Sequence, residues 1–215
     1  MREIRYTLLC DGSSDKALIP ILSWLLNDLL PNVSLQAQYA DFGRLRLPPP
    51  LSALDQRIEK AVALYPCDIL FVHRDAEKDL FQKRKNEILK FHQKINNTFT
   101  EKLVPVVPVR MMETWLLIDE KAIKVAAGNR NYNKNIVLPN TQNLESLPNP
   151  KDHLYNLLKE VSELKGRKLQ NLKVSQSVHL IADFIEDYSQ LRQILAFQEL
   201  EKDVIVVLTE LGFVL

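Results

Sequence analysis

Two cysteines, five glycines and no surplus of either charge mark what this 215-residue sequence has little of. Cys10 and Cys67 sit in apolar runs, where a thiol packs as a small hydrophobe; no paired-cysteine zinc signature or disulfide framework is expected. Five glycines beside 11 prolines exclude collagen-like and low-complexity chains. With 28 Lys+Arg against 27 Asp+Glu, the chain is neither a strongly basic histone-like binder nor an acidic solvating tail. Affinity for nucleic acid would have to come from local patches and bound cations. No apolar stretch reaches about 18 residues without a charge, so no membrane span is expected. The opening Met1-Arg2-Glu3-Ile4-Arg5 lacks the long apolar core and small-residue cleavage site of a signal peptide. Also missing are a Gly-rich phosphate loop of the Walker or dinucleotide type and a Gly-x-Ser-x-Gly elbow. These absences lead to the expectation of a soluble cytoplasmic globular protein. Its 46% hydrophobic content is ample for a core.

What is present is an alternation of strand and helix patterns. Residues 4–10 form an apolar β-rich run that stops at Asp11-Gly12-Ser13-Ser14-Asp15, a strand ending in a turn. Ala17, Leu18, Ile21, Leu22, Leu25, Leu26 and Leu29 recur at helical spacing, and Pro20 requires that helix to begin near Ile19 or to kink. A second strand is expected over residues 34–40. A loop with Asp41-Phe42-Gly43-Arg44 and three prolines follows, then a helix over 51–64 with Ser52 as N-cap. Asp68-Ile69-Leu70-Phe71-Val72 is the clearest buried strand and runs into His73-Arg74-Asp75-Ala76-Glu77. A charged helix over 78–95 comes next. The following strand, 103–109, is marked as an edge by Pro105 and Pro108. One helix is expected over 111–127, closed by Gly128. This grammar predicts an α/β domain, with a mostly parallel sheet flanked by helices, over residues 1–127. A loop and a helical region over 128–215 pack on it, with helices at 154–164, 175–187 (Ser175 as N-cap) and 190–211.

In open parallel sheets ligands bind outside the carboxyl ends of the strands, and acids stand at two such ends. Asp11 ends the first strand, with Asp15 four residues on; Asp75 and Glu77 follow the third. Carboxylates within about 5 Å of one another do not all stay ionised without a cation. Hard oxygen ligands favour Mg²⁺ or Mn²⁺, which can polarise a phosphodiester and activate a water. The bland alternative is that Asp11, Asp15 and Asp75 are helix N-cap acids.

The strand-end groups Asp11-Gly12-Ser13-Ser14-Asp15 and His73-Arg74-Asp75-Ala76-Glu77, followed by Met112-Glu113-Thr114-Trp115-Leu116-Leu117, resemble a Toprim domain. The likeness is to small stand-alone Toprim-like bacterial proteins, related to nucleases of the overcoming-lysogenisation-defect type. It covers residues 1–120 and implies a Toprim-like, Rossmann-like fold and Mg²⁺-dependent cleavage of nucleic acid, in keeping with a defence or DNA-repair system. Mapped residue by residue, it implies Asp11 as the first acid and possible general base, Asp75 and Glu77 as the acidic pair, and Glu113 as a further ligand or water orienter. Two departures stand out. Asp11 replaces the usual Glu, and the pair reads Asp-x-Glu; an alternative register puts His73 and Asp75 there. The resemblance also implies a possible ATPase partner.

Several residues carry two readings. Lys16, Arg110 and Arg44 are candidates to neutralise phosphate charge, or ordinary surface cations. His73 is a ligand, a proton carrier or a hydrogen-bonded core histidine, and Asp15 with His73 would form supporting contacts. Trp24 and Trp115 fall at apolar helical positions and read as core. Lys78, Lys83, Arg84, Lys85, Lys90 and Lys94 make one basic segment, and Lys165, Arg167, Lys168 and Lys173 a second. Either is a phosphate-tracking strip or a solvated face. Two other functions stay open. One is a non-catalytic regulatory subunit with a degenerate site. The other is a receiver-like phosphoacceptor, which would need two adjacent acids after the first strand and a Lys on a fifth. A two-fold homodimer is the general default for a soluble assembly.

Overall fold

The computed structural model describes residues 2–42, 53–95 and 102–214. Four strands, β1 (Glu3–Leu9), β2 (Ser34–Tyr39), β3 (Ile69–His73) and β4 (Lys102–Val106), form one sheet in the order β2-β1-β3-β4. Every pairing is parallel: Tyr6 stands opposite Ala37 on one side and Ile69 on the other, and Val72 opposite Pro105. β4 is an edge strand, which is where a proline that cannot donate to the ladder is tolerated. Parallel strands need crossovers. Here these are α1 (Leu18–Leu29), α2 (Leu54–Leu64) and α3 (Phe81–Ile95). The result is a Rossmann-like α/β sheet flanked by helices.

Because strand residues alternate between faces, the sheet feeds two cores. Ile4, Tyr6, Leu8, Ile69, Phe71, Val104 and Val106 face α1 and the C-terminal helices. Leu9, Leu70, Val72 and Leu103 face Ile58 and Ala61 of α2 and Ile88 of α3. Both faces are covered, which explains why β1 and β3 read as continuous apolar runs. The C-terminal region comprises α4 (Glu120–Ala126), α5 (Pro150–Ser162), α6 (Gly166–Gln170), α7 (Val174–Phe184) and α8 (Leu195–Glu210). It shares the larger core through Leu158, Ile181, Phe197 and Val204. Trp115 packs edge-on against Phe197 of α8, with ring centroids 5.4 Å apart. The chain ends are tied together as well. Arg2 donates to the carbonyls of Leu211 and Gly212 and lies 4.1 Å over the Phe213 ring.

Several element ends shift by a few residues, and four departures from expectation are larger. The segment expected as one helix over 111–127 is a 3-10 turn, Met112–Leu116, and then α4. Asp119 breaks it by capping, its side chain accepting from the Ala122 amide. Gly128, with φ of 74°, follows the helix end as expected. α7 is capped at Lys173 with no side-chain bond, not at Ser175. The last helical stretch is a 3-10 turn, Ser189–Gln193, separated from α8. Finally α6, none of whose residues is buried, had no apolar stripe to announce it. Ser52 and Arg44 lie outside the described residues. Among those described, no helix is long and apolar enough to cross a membrane.

Candidate functional site

The strand order fixes where a ligand would enter. From β1 the chain turns to β2 on one side, while β3 lies on the other, so the loops after β1 and β3 diverge and leave a crevice. A cleft of about 160 Å³ lies there, lined by Asp11, Asp15, His73, Arg74, Asp75, Glu77 and Arg84.

His73, fully buried at the end of β3, anchors it. Its Nδ1 is 2.9 Å from the Val106 carbonyl and donates to it, leaving Nε2 to face the acids. That nitrogen lies 3.4 Å from Asp75 Oδ1 and 3.8 Å from Asp15 Oδ2. Burial holds the imidazole below its ordinary pKa against the pull of Asp15, so it is neutral. The loop beyond is pinned to the segment after β4. Arg74 N bonds Val106 O, Ala76 N bonds Pro108 O, and Glu77 N bonds Arg110 O at 2.8 Å. Glu77 and Arg110 both have positive φ, 53° and 67°, where the paired backbones turn away.

Asp15 arrives by a different route. The chain leaves β1 through extended Gly12 into a 3-10 turn, Ser13–Ala17, and Asp15 folds back beneath it. Its Oδ2 accepts from the Gly12 amide at 3.0 Å and its Oδ1 from the Ser14 hydroxyl at 3.0 Å. The turn therefore sends Asp15 inward and Asp11 outward. Asp11 is half exposed, and its two oxygens are held by Arg57 and by Arg74 Nε. Arg57 also donates to the Cys10 carbonyl.

Asp75 is left incompletely satisfied in the cleft. Its Oδ1 is buried with no hydrogen-bond partner. Burial raises its pKa to about 8, helped by Asp15, Glu113 and Glu77 and opposed by a hydrogen bond from the Met112 backbone. Glu113 sits in the 3-10 turn behind Asp75, buried. Desolvation pushes its pKa up while Lys151, with Nζ 3.8 Å from Oε1, pulls it down.

The structure thus brings Asp15, Asp75 and His73 together, puts Glu113 within electrostatic reach of both acids, and leaves Asp11 and Glu77 on the cleft wall. Lys16 is exposed near Asp15, within electrostatic reach of His179. Arg110 contributes its carbonyl to the loop pairing, and its side chain is exposed. Arg57, Arg74 and Lys151 are additions that sequence reasoning did not single out, and Arg84 is one it placed only in a basic segment. Arg74 lay inside the strand-end motif, whereas nothing local distinguishes Arg57 on α2 or Lys151 on α5.

Among the described residues, no three of His, Cys, Asp and Glu are arranged to enclose a metal. Mg²⁺ asks for less: it keeps several of its waters and takes one or two carboxylates. Asp15 and Asp75, one of them with an orphaned buried oxygen, are a donor set of that kind. No protein-family model, curated protein or solved structure matches the chain.

Proposed function

We propose that the chain is a Mg²⁺- or Mn²⁺-dependent phosphodiesterase acting on nucleic acid, with Asp15 and Asp75 as the ion's carboxylate ligands and Glu113 beside them. The observation that carries this reading is Asp75. A carboxyl group with a buried, unbonded oxygen, its pKa raised to about 8 by burial first and by the neighbouring acids Asp15, Glu113 and Glu77 after it, is a site short of one positive charge. A bound divalent ion would supply Lewis-acid polarisation of the phosphate and a more acidic bound water.

The protein's own residues have definable tasks. His73, fixed by Val106, presents an unprotonated Nε2 to the cleft, 3.4 Å from Asp75. Arg74, held by Asp11 and within 3.7 Å of Glu87, stands at the cleft wall, where a guanidinium can pair with phosphate oxygens. Lys151 favours the ionised form of Glu113 against its burial. Lys16 and Arg110, both exposed, remain candidates for contacting the strand on either side. The strand-end motifs' resemblance to Toprim-like proteins supports the same chemistry, including the defence or repair setting and the ATPase partner it implies.

A second reading, a regulatory subunit with a degenerate site, is favoured by Asp11, whose oxygens are both taken by arginines. The phosphoacceptor reading loses ground, since the described sheet has four strands and offers no fifth to carry a lysine. The deciding experiment is digestion of a panel of DNA and RNA substrates with Mg²⁺ or Mn²⁺, wild type against Asp75→Ala. Metal-dependent cleavage lost in the folded variant is expected. Cleavage that persists in it refutes the assignment.

A further inference from the structure

Two segments of the sequence are rich in cations, and the fold treats them differently. On α3 the charges of Lys83, Arg84 and Lys85 are spent internally, while Lys78 before it and Lys90 on it are exposed. Lys83 pairs with Asp79 at 2.9 Å, Arg84 with Glu87 at 2.7 Å, and Lys85 with Asp203 at 2.7 Å and Glu199 at 3.5 Å. Around α6 they are not. Between Leu164 and Val174 the chain has four cations, Lys165, Arg167, Lys168 and Lys173, and no acid. All four are exposed, and none has an ion-pair partner within 4.0 Å among the described residues.

Tertiary contacts enlarge this patch. Asn129 donates to the Val161 carbonyl and to Glu163, bringing the exposed Arg130 beside the end of α5. The nearby acids are mostly engaged elsewhere: Glu163 pairs with Lys134 at 2.9 Å, though it also feels the charge of Lys165, and Glu160 accepts from the Tyr132 hydroxyl at 3.2 Å. No aromatic side chain interleaves with the cations from 165 to 173, so the patch offers charge without a stacking platform.

The patch also has a fixed relation to the cleft. α7 begins at Lys173's neighbour and packs on the 3-10 turn that carries Asp15. His179, six residues after Lys173, is within electrostatic reach of Lys16 and Asp15. Six residues of helix advance about 9 Å, the span of roughly three phosphates along one strand at 3.4 Å each.

We propose that Lys165, Arg167, Lys168 and Lys173, with Arg130, form a surface that holds the sugar-phosphate backbone of a nucleic acid beyond the cleft, without reading its sequence. This rests on the nucleic-acid reading of the cleft and extends it from chemistry to substrate hold. Salt dependence follows, because each phosphate neutralised releases condensed counterions.

The test uses the full chain carrying Asp75→Asn in EDTA, so that binding is measured without cleavage. Fluorescence anisotropy follows labelled DNA of about 30 base pairs, the matching single strand and an RNA of the same sequence across a salt series. The quadruple variant Lys165→Glu, Arg167→Glu, Lys168→Glu, Lys173→Glu is expected to weaken binding at least about tenfold at low salt. It should also flatten the slope of log K against log salt by about two or more. Lys83→Glu with Lys85→Glu should change binding less than about twofold, and circular dichroism should show both variants folded. Which probe binds tightest identifies the strand type. Overturning results are equal binding by parent and quadruple variant, no binding of any nucleic acid by the parent, or preferential capture of poly-glutamate. If patch-dependent binding is found but wild type cleaves nothing, the catalytic reading falls and this one stands. If wild type cleaves while the patch variant binds like its parent, the reverse holds.

Discussion

A carboxyl group whose oxygen is sealed from water without a partner resists ionisation, and Asp75 is held that way by burial and its acidic neighbours, against a hydrogen bond from the Met112 backbone. Two consequences belong at the residue scale. The folded pKa of about 8 lies above the unfolded value of 3.8. The folded protein therefore keeps a proton that the unfolded chain releases. Stability from this group is complete below the unfolded value and is lost as pH rises through the folded one. Melting temperatures in EDTA should fall between pH 5 and pH 8, and Asp75→Asn should flatten that fall; parallel curves for the two proteins would count against it. The second concerns which acid of the first loop matters. Asp15→Asn should cut metal-dependent cleavage at least about a hundredfold, whereas Asp11→Asn, which only frees Arg57 and Arg74, should cost about tenfold. Initial rates on one substrate decide, and the opposite ranking would restore Asp11 to the first position. The sequence placed acids after the right strands, but it could not say which one turns inward. That depends on the extended backbone at Gly12 and the 3-10 turn that folds Asp15 back.

At the scale of elements, legibility followed burial. β1 and β3 were readable because both faces are covered, so they show as continuous apolar runs, and Pro105 marked β4 as an edge. The stretch from Met112 to Ala126 misled for the same reason. Its apolar residues are buried on both sides of Asp119, so helical spacing could not reveal the break that Asp119 makes by capping α4. That break matters, because it places Glu113 and the Met112 amide behind Asp75 on a short turn anchored by Trp115. Trp115 is fully buried against Phe197, and its indole N–H has no partner. Trp115→Ala should therefore destabilise by about 3–5 kcal/mol. Trp115→Phe, which removes only the unpaired polar edge and some volume, should cost about 1.5 kcal/mol or less. Urea titrations give both values, and equal losses would mean that the N–H has a role packing does not explain.

For the whole molecule, the division into an α/β portion and a helical portion describes the sequence better than the packing. One core runs from Ile4 through the sheet to Leu208 of α8, and Lys151 from the second portion reaches Glu113 in the first. That long-range reach was invisible in the sequence, since a lysine in the first turn of a helix carries no signal of its partner. Lys151→Ala should raise the pKa of Glu113 further. The alkaline shift should appear in the carboxyl resonances of Glu113 by NMR, and an unchanged titration would remove Lys151 from the site. The account as a whole stands on the switch-point acids lacking one positive charge. Its most direct test is titration of the metal-free chain with Mn²⁺, followed by electron paramagnetic resonance of the free ion. One ion bound per wild-type chain, lost in Asp75→Asn and displaced by Mg²⁺, is the predicted result. No binding by wild type, or equal binding by the variant, would contradict it.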